Sequence, residues 1–207
     1  MLTVDEIKSM TGMHDIPAEI YVNKGVMLDP FLAENLTGKP KTVEYDFDVY
    51  LKDYGVNLQR PFVWTLLQQE EFIKSLLLNK PIPPVVVVDL DTHESLNREE
   101  PTKRLVIDGK QRLLTIKRFL MCDFCITVNG RNYRYSDLDN EAKGLFERQI
   151  TYLNATVYYA TEDRDCAWYM SDDMKIAIFN FYNFTGTPQE KSHRDLLEVL
   201  VKKTKTE

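Results

Sequence analysis

Residues 104–116 read Arg104-Leu105-Val106-Ile107-Asp108-Gly109-Lys110-Gln111-Arg112-Leu113-Leu114-Thr115-Ile116, and the hydrophobic period changes partway through. Leu105-Val106-Ile107 is a short apolar run typical of a buried strand. Leu113, Ile116 and Leu120 instead recur at three and four, the spacing of one helical face. Between them only Asp108-Gly109 is left to turn the chain. The unit is strand, tight turn, helix, and it predicts a sheet with helices packed on it.

Upstream, Val43, Tyr45, Phe47 and Val49 alternate with Glu44, Asp46 and Asp48, which predicts a half-buried strand over 43–50. Thr65, with Gln68 three residues on, has the spacing of a capping box, and Leu66, Ile73 and Leu77 lie on one face of the helix that follows, with Phe72 and Leu76 beside them. Pro81, Pro83 and Pro84 end that helix because proline lacks the amide hydrogen. Val85-Val86-Val87-Val88-Asp89-Leu90 then reads as a buried strand, and 91–102 as a polar loop.

Downstream, Asn129-Gly130 between two short β-rich runs predicts a hairpin. A short helix near 137–148 is expected to start at Ser136 with Asp139, followed by a strand over 150–160 and a helix over 172–182 with Met174, Ile178 and Phe181 on one stripe. Thr187-Pro188-Gln189-Glu190 has the N-cap, first-position proline and capping-box glutamate of a last helix. Residues 1–42 show no sustained period and read as an arm with at most short helices, leaving 43–207 as the domain. Strands and helices mix without strict βαβ alternation, so the class is α+β, or an irregular α/β.

Composition narrows the function. Lys and Arg number 26 against 32 Asp and Glu, a formal charge of −6, so any contact with nucleic acid has to be local. No apolar run is long enough for a membrane span, the first ten residues are too polar for a signal peptide, and three cysteines make a poor disulfide framework. A cytoplasmic location without membrane association is the expectation. Cys122 and Cys125 have C-x-x-C spacing but lack two further ligands for zinc, and His14, His93 and His193 are scattered, so neither a zinc site nor an HNH nuclease centre is expected.

Against this acidic background, residues 103–118 hold Lys103, Arg104, Lys110, Arg112, Lys117 and Arg118 with Asp108 as the lone acid. A strand that turns through glycine into a helix exposes free amides and the positive end of the helix dipole, a place where phosphate binds. The sequence equally allows Asp108 to be an N-cap partnered by Gln111, with the basic residues on a solvated face. Gln59-Arg60-Pro61-Phe62-Val63-Trp64 admits two readings as well. Arg60 suits a phosphate and Trp64 a base, or else both are structural. Asn183-Phe184-Thr185-Gly186 has the composition of a turn whose amides suit a ligand.

Taken in order, QRPFVW at 59–64, the proline-flanked PIPPVVVV at 81–88, VIDGKQRLLTI at 106–116 and IFNFYNFTGTP at 178–188 resemble the N-terminal domain of GmrSD-type restriction endonucleases, within the ParB/sulfiredoxin superfamily. The resemblance spans about residues 55–200. It implies a ParB/sulfiredoxin-like mixed sheet with flanking helices that binds a nucleoside triphosphate with Mg and, in several members, hydrolyses it to license DNA cleavage. By motif match Asp108, Gln111 and Arg112 fall on catalytic positions, with Asp108 holding Mg or orienting the attacking water. Gln59, Arg60, Trp64, Gly109, Lys110, Asn183 and Gly186 fall on nucleotide-binding positions. Arg112 is expected to leave the helix at its solvent-facing start, and Gln111 to position the attacking water. Lys110 departs from the family, which usually has Gln there. The implied partners are a nucleotide, and DNA or a separate nuclease chain. The alternatives are a non-catalytic or phage-type anti-restriction binding module and a ParB-like DNA-binding protein.

Overall fold

A computed structural model of the chain describes residues 21–27, 43–90, 102–151, 153–165 and 169–183. The strands are β1 (Tyr21–Met27), β2 (Val43–Asp46), β3 (Tyr50–Leu51), β4 (Val56–Asn57), β5 (Val85–Leu90), β6 (Thr102–Asp108), β7 (Ile126–Val128), β8 (Arg131–Tyr133) and β9 (Asn154–Ala160). The α-helices are α1 (Leu66–Leu77), α2 (Lys110–Leu120), α3 (Asn140–Thr151) and α4 (Asp172–Asn183). Five strands form one sheet in the order β1-β9-β5-β6-β2, while β3-β4 and β7-β8 are separate two-stranded ribbons. The sheet is mixed: β9 runs parallel to β5 and β2 parallel to β6, whereas β1–β9 and β5–β6 are antiparallel. The class is α+β, as the mixed periods indicate.

Each central strand is apolar on both sides because both faces of the sheet are covered. On one face Val85, Val87, Val106, Ala155 and Val157 pack under α1, α2 and α3 through Ile73, Leu76, Leu113, Ile116, Phe119, Phe146 and Ile150. On the other, Val86, Val88, Leu90, Leu105, Ile107 and Tyr158 pack under α4 and the β3–β4 ribbon through Ile176, Ile178, Phe179, Leu51 and Leu58. Four consecutive valines in β5 therefore feed two cores alternately.

Several local expectations are corrected. Residues 21–27, read as part of an arm with at most short helices, form a strand against β9, and the register shifts between Lys24 and Val26. The unpaired residue is Gly25, and a bulge of this kind breaks the alternation that would have revealed the strand. The strand predicted over 43–50 stops at Asp46, whose Oδ1 accepts hydrogen bonds from the amides of Asp48 and Val49, each at 3.0 Å. The polar–apolar alternation thus runs on through a turn.

On α1 the capping box of Thr65 and Gln68 is present, but Leu66 is 62% exposed and the buried stripe is Gln69, Phe72, Ile73 and Leu76. The third helix begins at Asn140, where Asp139 and not Ser136 accepts from an N-terminal amide, that of Ala142 at 2.8 Å. It also runs to Thr151, so Ile150 and Thr151 are helical rather than part of the strand expected over 150–160. The hairpin at Asn129-Gly130 has both residues at positive φ, as its sequence requires. Gly186, the helix expected from Thr187, Cys166 and the loop over 91–101 lie outside the described residues.

Candidate phosphate site at the start of α2

The turn between β6 and α2 consists of Gly109 alone, with φ +104° and ψ 5°, and this glycine is the N-cap of α2. A Cβ at Gly109 would meet Val85 Cγ1 at 2.5 Å and the Arg112 guanidinium at 3.4 Å. Both the backbone conformation and the space therefore require glycine. Asp108 is not the N-cap: α2 has no side-chain cap, and Asp108 Oδ2 accepts instead from Arg112 at 2.6 Å. The first helical bond of α2 runs from Leu113 N to Gly109 O at 3.0 Å. The amides of Lys110, Gln111 and Arg112 therefore precede the hydrogen-bonded ladder and have no carbonyl within the helix. They lie at the positive end of the dipole of an 11-residue helix, which favours an anion.

The cations around this turn are largely engaged. Lys103 lies 3.7 Å from Asp46, Lys110 2.6 Å from Asp48, Arg112 2.6 Å from Asp108 and Arg118 3.7 Å from Asp123. Arg104 grips Asp89 through two nitrogens and donates to Tyr45 Oη at 3.1 Å. Burial alone would push the Arg104 guanidinium down. Hydrogen bonds and charge from Asp89 and Tyr45 reverse that and hold it above its ordinary value. The basic island of the sequence is thus mostly neutralised by carboxylates from β2, the turn after it, β5, the end of β6 and the residues after α2.

Arg112 does not leave the helix toward solvent. Its side chain is 12% exposed, and it donates to the carbonyls of Pro83 and Pro84 as well as to Asp108. Burial pushes its guanidinium down, opposed by the charge and hydrogen bond of Asp108. It ties the start of α2 to the proline segment ahead of β5. Prolines cannot continue a donor ladder but still present carbonyls, and Arg112 covers two of them.

Residues 59–64 are fastened beside the same turn by glutamine side chains. Gln59 Nε2 donates to Val106 O at 2.9 Å and to Ile107 O at the end of β6. Gln111 is 8% exposed; its Oε1 accepts from Val63 N at 2.9 Å and Trp64 N at 3.3 Å, and its Nε2 donates to Pro61 O at 3.0 Å. Gln111 is thereby a staple between α2 and the 59–64 segment, with both the oxygen and the nitrogen of its amide group engaged. Trp64 stands edge-on to Phe72, centroids 5.3 Å apart, and packs against the core under α1. Arg60 lies between the two glutamine anchors, half-buried, with no ion pair or hydrogen bond to any described residue.

Sequence reading missed two parts of this arrangement. Gln69, 1% exposed, donates to Trp64 O at 2.9 Å and accepts from Arg118 at 2.6 Å, and Arg118 in turn lies over Phe62. Its only signal was a polar residue in register with the buried stripe of α1. Asp48, which pairs with Lys110, carried no signal except its place in an apparent strand.

The chain matches the family described as GmrSD restriction endonuclease, N-terminal domain, over residues 57–202. It belongs to that family. No curated protein and no solved structure matches it. The match to the GmrSD N-terminal domain associates the chain with restriction systems and covers Gln59, Arg60, Trp64, Asp108 to Arg112, and the segment with Asn183 and Gly186. The fold brings the first two of these groups together. Asn183 closes α4, which packs on the opposite face of the sheet from α2. The Asn180 Oδ1 on α4 is buried and accepts no hydrogen bond from any described residue.

Among the described residues no three His, Cys, Asp or Glu side chains group in a way that would hold a metal ion, and Asp108 stands as a single carboxylate. Cys122 and Cys125 are free thiols following α2. No described helix is long and apolar enough to cross a membrane.

Proposed function

We propose that this chain binds a nucleoside triphosphate at the start of α2 and acts as the regulatory part of a restriction system in the cytoplasm, with DNA cleavage supplied by a separate nuclease chain. The observation that carries the reading is the glycine turn before α2. Three successive amides without helical partners follow a glycine that admits no Cβ, beside a segment whose Arg60 has no carboxylate partner among the described residues. The residues fit a phosphate group. Amides of Lys110 to Arg112 would donate to its oxygens, and Arg60 would add a charge-assisted fork. Asp108 has Oδ2 taken by Arg112, so Oδ1 is the oxygen left for Mg. When bound, Mg and the triphosphate supply the metal charge and the phosphoanhydride bonds.

A second reading, binding without turnover, is favoured over hydrolysis by one observation. Gln111, expected to orient water, has its amide group engaged by Pro61, Val63 and Trp64. The ParB/sulfiredoxin-like fold belongs to the same proposal, supported by the mixed five-stranded sheet between helical layers. A direct DNA-binding role is less well supported, since Lys103, Arg104, Lys110, Arg112 and Arg118 are paired with carboxylates.

The experiment is a titration with ATP and with GTP in Mg, followed through Trp64 fluorescence in a Trp168→Phe background, with phosphate release measured in parallel. A saturable response without phosphate release above the blank supports binding without turnover. Phosphate release that Gln111→Ala abolishes in a folded protein supports hydrolysis instead. No saturable response to either nucleotide overturns the site.

A further inference from the structure

Lys110 is the first residue of α2, yet its side chain is only 6% exposed, and its Nζ sits 2.6 Å from Asp48 Oδ1, on a side chain that is 65% exposed. The usual order is inverted: the buried partner is the long cation, and the acid lies over it from the solvent side. Lysine pairs as a point charge on a flexible stem, so the same ammonium can reach a different acceptor within a few ångströms. Its first-turn position places it among the three amides without helical partners at the proposed phosphate site.

Asp48 is held there by an unusual backbone. It sits in the turn closed by Asp46 Oδ1, and the next residue, Val49, has φ +53°. A β-branched residue in the left-handed region is an outlier, tolerated only where the surroundings over-determine it. Here Val49 is 1% exposed in the core under α4, and its carbonyl accepts from Leu58 N at 3.0 Å. The Asp48 carbonyl accepts from Gln59 N at 3.2 Å, which fastens this turn to the segment that carries Arg60. Residues 43–51 precede the span matched to the family, which begins at 57, so Asp48 lies outside that span.

We propose that Asp48 is a built-in competitor at the phosphate site: it holds the Lys110 ammonium in an ion pair, and an incoming polyphosphate has to take that ammonium from it. Asp48 thereby sets the affinity of the site and keeps weakly charged anions from occupying it. The inference rests on the phosphate reading of the α2 start, and the test separates the two.

The test is calorimetric titration of inorganic tripolyphosphate into the full chain in EDTA, for wild type, Asp48→Asn, Lys110→Gln and the double variant. Asn keeps an oxygen acceptor for Lys110 and leaves the Asp46 turn unchanged, so folding is retained; far-UV circular dichroism checks it. Asp48→Asn is expected to bind tripolyphosphate about fivefold tighter than wild type, the size of one partly exposed charge pair. In the Lys110→Gln background the same substitution is expected to have no effect, and the gain should shrink as salt is raised. Equal or weaker binding by Asp48→Asn overturns the competitor role while leaving the phosphate site standing. A fivefold gain that persists in Lys110→Gln also overturns it, since the effect would then be the general field of one carboxylate. No binding by wild type or by Asp48→Asn overturns the phosphate reading and the competitor with it.

Discussion

Replacing Gln111 by Ala separates a staple from a water-positioning group. The side chain makes three hydrogen bonds to the 59–64 backbone, two at 2.9 and 3.0 Å and a longer one at 3.3 Å. A net contribution of about 1 kcal/mol for each good bond, and less for the long one, gives roughly 2–3 kcal/mol of lost stability. Better helix propensity at this position returns a few tenths of a kcal/mol. With a urea slope of about 2 kcal/mol/M the midpoint should fall by about 1 M. Gln111→Glu keeps the acceptor for the Val63 and Trp64 amides near the favourable end of α2 and loses only the donor to Pro61, so it should cost about 1 kcal/mol. The assay is urea unfolding followed by far-UV circular dichroism and by tryptophan fluorescence. A cost below about 0.5 kcal/mol for Gln111→Ala would refute the staple, because a side chain free to orient water contributes nothing to folding.

Three further outcomes follow from the same geometry. Gly109→Ala combines a left-handed backbone with a 2.5 Å approach to Val85 Cγ1, so it should cost about 2–4 kcal/mol in urea unfolding, and adding Val85→Ala should recover only the steric share; full additivity of the pair would contradict the clash. Asp89→Ala leaves the Arg104 guanidinium buried without its main partner and should cost about 3–5 kcal/mol in thermal or urea unfolding, whereas a neutral result would mean that Arg104 finds another acceptor. Burial and the Tyr182 hydroxyl push the Tyr158 phenol above the ordinary tyrosine range, and burial and Glu147 do the same for Tyr135. Their folded values are raised, so their stabilising effect is complete below about pH 10 and lost as pH rises through the folded values; stability against pH, compared with Tyr158→Phe, should show a shallower alkaline decline in the variant.

The strand–glycine–helix unit was legible because its signals agree. The period changes from run to helix at a residue that only glycine can fill, and Gly109 at φ +104° is that residue. The Thr65 capping box and the Asn129-Gly130 turn were legible for the same reason: local chemistry alone fixes them. Strand β1 was hidden by the bulge at Gly25, and the end of β2 by a turn that continues the polar–apolar alternation. At the site, composition located the basic residues, and the fold supplied their acids from distant positions: Asp46, Asp48 and Asp89 lie at sequence separations that no local pattern encodes. Sequence therefore placed the motifs Gln59-Arg60 and Asp108 to Arg112 but could not say that Gln111 and Arg112 are held by backbone carbonyls and amides while Arg60 has no partner among the described residues.

Arg60 decides whether a triphosphate is held at the start of α2. Calorimetric titration of ATP and GTP with Mg into wild type and Arg60→Ala should show saturable binding by wild type to at least one nucleotide and a loss of tenfold or more in the variant, about 1.4 kcal/mol, with the urea midpoint unchanged. Unaltered affinity in Arg60→Ala, or no saturable binding by the folded wild-type chain, would contradict a triphosphate site at the start of α2.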